Sequence, residues 1–97
     1  MAFEEFTVQL PVGSGLRRDT MEIDVQVDVD THEAIDIYIT RPNYEDLPAA
    51  LKKLEWIHSG GKNSLFVHIA PGSCAKAWTY LRKHAFLDEE LEALLNS

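Results

Sequence analysis

The chain has 97 residues, 45% of them hydrophobic and 26% charged, which suits one small domain with a single core and excludes a disordered segment of comparable length. Nine Lys and Arg against sixteen Asp and Glu leave a formal charge of -7, the wrong sign for a domain that neutralises phosphates, so direct nucleic-acid binding is not expected. A lone cysteine cannot form an internal disulfide, the opening MAFEEFTVQL carries acids where a secretory leader carries bases, and no apolar run is long enough to span a bilayer, so the expectation is a soluble, cytoplasmic chain without membrane contact.

In chain order, Phe6, Val8, Leu10 and Val12 alternate with Thr7, Gln9 and Pro11, which predicts a strand ending at GSG. Met21, Ile23, Val25, Val27 and Val29 alternate with Glu22, Asp24, Gln26, Asp28 and Asp30, the clearest strand in the chain. After a THE turn, Ile35, Ile37 and Ile39 alternate with Asp36, Tyr38 and Thr40, so these two strands should pair antiparallel with one buried face. The period then changes. Leu47, Ala50, Leu51, Leu54 and Ile57 predict a helix opened near Asn43 or Asp46, with Pro48 in its first turn and Gly60-Gly61 as its stop. LFVHIA predicts a short buried strand, and Ser73 is expected to cap a helix that turns Cys74, Ala77, Trp78, Leu81 and Ala85 inward. Asp88 is expected to cap a last short helix through Leu91, Leu94 and Leu95.

The class is therefore α+β, in one small globular domain over residues 1–97: an antiparallel three-stranded β-meander followed by α-β-α-α. Because a strand-helix-strand crossover returns parallel and right-handed, the expected architecture is a mixed four-stranded sheet with helices packed on one face. In topology alone this order resembles the first part of the ribonuclease-H-like architecture. Two-metal chemistry needs carboxylates converging from several elements, however, and the first and fourth strands supply Gln9 and His68. Nuclease chemistry is not expected.

The outer face of the sheet is acidic. A three-residue turn sets Asp28 opposite Asp36 and Gln26 opposite Tyr38, with Glu22, Asp24 and Asp30 on the same side. Like charges facing each other on a sheet cost up to roughly 1 kcal/mol a pair. Either the face is solvated and keeps the chain soluble, or it is a platform that docks on a basic surface or mimics a run of phosphates. Asp28, Asp30, His32, Glu33 and Asp36 also lie close in sequence. They lack the glycine and terminal bidentate glutamate of a calcium loop, and strand alternation points Asp28 and Asp30 outward rather than around one ion, so no metal or cofactor is expected.

A second candidate is the turn PGSCAK. Cys74 falls in a first helical turn, where the dipole favours thiolate, yet it shares a stripe with Ala77, Trp78 and Leu81, which reads as core. Gly72, Ser73, Cys74 and Lys76 together could bind a carboxylate or phosphate, since Lys76 stands where a capping box would put an acid. His58 and His84 fall near helix C-termini, and His68 shares the face of Phe66, away from Cys74, so no Cys-His pair is expected. Two functions remain. The first is a non-enzymatic interaction module of inhibitor, immunity or adaptor type, binding a basic protein surface through Glu22, Asp24, Asp28, Asp30, Asp36 and Tyr38, with a homodimer through an uncovered strand edge allowed. The alternative is a small enzyme or anion-binding domain working at Gly72, Ser73, Cys74 and Lys76.

Overall fold

The computed structural model describes residues 2–13, 19–58 and 64–97. Along the chain these form β1 (Phe3–Val12), β2 (Asp19–Asp28), β3 (Ala34–Thr40), α1 (Arg41–Glu45), α2 (Ala49–Lys52), β4 (Trp56–Ile57), β5 (Phe66–Ile69), a 3-10 turn (Pro71–Ser73), α3 (Cys74–His84) and α4 (Glu89–Leu95). The first three strands form and pair as the expected meander, but Val29 and Asp30 fall in the turn after β2, and Ile35, expected inward, is 40% exposed. Their apolar sets, from Phe6, Val8 and Leu10 through Ile23 and Val25 to Ile37 and Ile39, are buried on one face. Ala77, Trp78 and Leu81 of α3 and Leu91 of α4 complete the same cluster, so the helices cover that face of the sheet.

The sheet differs from expectation in size and direction. It has five strands in the order β1-β2-β3-β5-β4, and every pairing is antiparallel, where a mixed four-stranded sheet was expected. The cause lies between residues 41 and 57. Thr40 caps α1, its Oγ1 accepting the Asn43 N–H at 3.4 Å, and Pro42 sits in the first turn. Pro48 then has no N–H to continue the ladder, so the chain restarts as the single turn α2 instead of one long helix. Leu47 and Leu51 are buried as their spacing requires, but Trp56 leaves the helical path. Its indole Nε1–H donates to the Leu51 carbonyl at 2.8 Å, and its backbone pairs with Ile69 of β5. A strand thus stands where the helix end was expected, and β5 enters between it and β3. With that arrangement the ribonuclease-H-like comparison lapses. Gly60-Gly61, read as a helix stop, lies outside the described residues.

The turn after β2 is also rebuilt. It holds four residues rather than three, the Asp28 N–H donating to the Glu33 carbonyl at 2.9 Å, and a bulge between Gln26 and Val27 adds one position, so Asp36 faces Gln26 and Tyr38 faces Asp24, rather than Asp28 and Gln26. Asp28 is buried at 9% exposure, and its Oδ1 accepts the N–H groups of Asp30 and Thr31 at 2.8 and 3.0 Å. These bonds hold its carboxyl below the ordinary value, the Thr31 amide acting most strongly. His32 follows with φ 63, and its carbonyl accepts the buried indole N–H of Trp78 at 2.9 Å. The expected cap at Asp88 forms, with Oδ1 accepting the Leu91 N–H at 2.8 Å, whereas Ser73 makes no side-chain cap to α3. Pro71–Ser73 already turns in 3-10 fashion, so the entry to α3 lies before Ser73.

Two stability predictions follow from this packing. Trp78→Phe removes the donor to His32 and leaves a void among core residues, so denaturant titration should show a loss of about 2–4 kcal/mol. Asp28 contributes stability that is complete above its unfolded pKa and is lost as pH falls through its lower folded pKa. Asp28→Ala should therefore be less stable than wild type at neutral pH, and the difference between the two should close on acidification below about pH 4 in paired melts.

Candidate functional site

The face opposite the core is built by the same alternation that buries the core. In the paired register, Thr7, Asp24, Tyr38, His68 and Ile57 form one row across all five strands. Glu5, Gln26 and Asp36 form a second, and Glu22 lies beside Gln9 on the other side of the first. None of these side chains belongs to the buried cluster. Glu22, Asp24, Asp36 and Tyr38 therefore share an outer face, as their sequence positions imply. Asp28 does not join them, because its carboxylate is turned onto the backbone of its own loop, and Asp30 is exposed in that loop beyond the strand.

The expected clash of Asp28 with Asp36 is absent because the turn closing at Asp28 and Glu33, with the bulge beside it, makes neutral Gln26 the partner of Asp36. The Asp36 carboxylate instead takes a hydrogen bond from His68, Nδ1 to Oδ2 at 2.9 Å. His68 stacks on Tyr38 with ring centroids 5.2 Å apart, and Tyr38 meets the edge of Phe66 at 5.3 Å. Thr7 donates its hydroxyl to Asp24 Oδ1 at 2.8 Å. The sequence reading missed Phe66, His68, Ile57 and Thr7 as members of this surface. Parity placed His68 with Phe66, away from the core, but the β3–β5 pairing that brings them to Tyr38 depends on strand order, which alternation does not encode.

Charge is less segregated than strand and helix composition suggests. Lys76, Arg82 and Lys83 are exposed on α3, with Arg82 over the Trp78 ring at 5.9 Å. Lys52 is spent locally on Glu45 at 3.6 Å and lies 5.5 Å from the Tyr44 ring centroid. The helical side also carries Glu89, Glu90 and Glu92 on α4. Among the described residues, no lysine or arginine forms an ion pair with Glu5, Glu22, Asp24 or Asp36.

At the alternative turn the polar groups are largely engaged within the protein. The Ser73 hydroxyl accepts the Glu55 N–H at 3.2 Å, while Cys74 is buried and donates its thiol to the Ala34 carbonyl at 3.3 Å. Burial first, and then the Asp36 and Glu33 carboxylates, push the Cys74 thiol above its ordinary range, opposite to the activation a helix dipole would bring. Gly72 and Lys76 are exposed, and a methyl group added at Gly72 would meet no atom within 4 Å. An open cleft of about 680 Å³ lies elsewhere, at the mouth of the β1–β2 hairpin, lined by Asp19, Thr20, Asn43 and Asp46 among others. No group of three or more His, Cys, Asp or Glu side chains among the described residues is placed to hold a metal ion. No helix among them is long and apolar enough to cross a membrane.

Cys74 should accordingly react slowly. At neutral pH a thiol reagent should label the folded protein at least about 100-fold more slowly than the denatured chain, and the folded-state rate should rise with pH as thiolate forms. Rapid labelling of folded protein at pH 7 would restore the turn as a candidate reactive centre. Comparison with known proteins supplies no relative: no family model, curated protein or solved structure matches the chain.

Proposed function

We propose that the protein is a non-enzymatic interaction module whose outer sheet face binds a basic surface on a protein partner. The observation that carries this reading is the composition of the one sheet face left outside the core. Glu5, Glu22, Asp24 and Asp36 stand there without a lysine or arginine partner among the described residues, around the Tyr38, Phe66 and His68 rings. Carboxylates at that density speed encounter with a positive surface, and half-buried aromatic side chains supply the anchors that protein interfaces favour. A rigid sheet holds both in one register. This reading takes in inhibitors, immunity proteins and adaptors alike, and it drops Asp28 from the contacting set, because its carboxylate is committed to its loop.

The test is a double variant, Glu22→Gln with Asp24→Asn, which removes two outer-face charges at constant size. Its thermal unfolding should match wild type within about 0.5 kcal/mol, since both positions lie outside the core. A partner recovered from the native host with wild-type protein should then associate with the variant several-fold more slowly at low salt, with a flatter dependence of the rate on ionic strength. Unchanged association and salt response in a normally folded variant would leave the acidic face as solvated surface only.

A further inference from the structure

We infer that the outer face seats an arginine side chain of the protein partner between Asp24 and Tyr38, with the carboxylate as floor and the phenol ring as wall. The inference rests on the acidic-face reading above and names the chemistry of what binds there. Its starting point is ring orientation. Tyr38 and His68 are direct cross-strand partners, and their rings stack at 5.2 Å with 27° between planes. Adjacent strands are about 4.8 Å apart, so near-parallel rings on direct partners overlap across the gap between β3 and β5. One face of Tyr38 is thus covered by His68 from β5, and Phe66 meets it at 90°. On its other flank the direct partner of Tyr38 is Asp24 of β2.

Asp24 is a short side chain and Tyr38 a long one, so the pair forms a step. Thr7 fixes the lower tread by donating to Asp24 Oδ1 at 2.8 Å, leaving Oδ2 without a partner among the described residues. Two residues along β3, Asp36 adds a second carboxylate on the same face, held by His68. A cation is therefore attracted to the step by charge, and a flat one is selected by shape. Guanidinium presents N–H donors in its plane and an apolar face on either side, so it can pair with Asp24 while lying against the phenol ring. An ammonium has the charge without the plane. Arginine is preferred to lysine on that ground.

The experiment uses the full chain at low ionic strength and two probes, the capped peptide Gly-Arg-Gly-Arg-Gly and its counterpart with both arginines replaced by lysine. NMR titration should show the arginine peptide shifting signals of Thr7, Asp24, Tyr38 and His68, with an affinity about three- to tenfold above that of the lysine peptide. Tyr38→Leu should abolish the preference while keeping the weaker, charge-driven binding. Asp24→Asn should weaken the arginine peptide several-fold, and the amide spectrum of each variant reports that it remains folded. If both peptides bind this face equally and Tyr38→Leu changes nothing, the arginine seat is overturned and the acidic platform stands. If neither peptide gives saturable shifts, or the shifts gather at Glu89 and Glu90 on α4, both readings fall.

Discussion

The hydrogen bond from the Trp78 indole to the His32 carbonyl ties the two halves of the molecule together. Trp78 is one of the largest fully buried side chains, and a buried indole N–H needs an acceptor. The carbonyl it finds belongs to a residue with φ 63, a backbone state that aims the group toward α3 and that the loop tolerates because Asp28 fixes the residues before it. Helix position and loop shape are therefore one constraint. With α3 held over the inner face, beside Cys74 against Ala34, the outer face is left to polar and aromatic side chains.

That division of faces was legible in the sequence wherever a strict alternation ran long enough. Met21 to Val27 and Ile37 to Ile39 are buried as their parity requires, and Glu22, Asp24, Asp36 and Tyr38 share the other side. Asp88 was readable as a cap because its chemistry is local. The region from Leu47 to Ile57 was not. Leucines at helical spacing are equally consistent with one helix or with two short turns, and what decides is the burial of Trp56 against β5, a contact distant in sequence.

The candidate surface divides along the same line. Face parity is a local property, but register and strand order are not. A turn that closes at Asp28 and Glu33 keeps Asp36 from Asp28, a bulge after Gln26 sets Gln26 opposite it, and nothing in the alternating pattern marks either. Tyr38 meets His68 only because β5 lies beside β3. Ser73 illustrates the opposite error. Its residue type suits a cap, yet the preceding Pro71 starts a 3-10 turn and frees the hydroxyl to serve Glu55.

One edge of the sheet has a consequence for behaviour in concentrated solution. Gln9 of β1 exchanges both backbone hydrogen bonds with Phe86, at 2.8 and 3.2 Å, so the outward amides of this edge strand belong to every second residue from Gln9 back to Phe3. Pro11, next in that series, has no N–H to offer, and the open stretch narrows to Phe3, Glu5 and Thr7. Two copies joined antiparallel along that stretch would set Glu5 against its own counterpart. Edge-to-edge pairing of two copies through β1 is thus opposed by a pair of facing carboxylates, which the strand carries at the centre of its one open stretch.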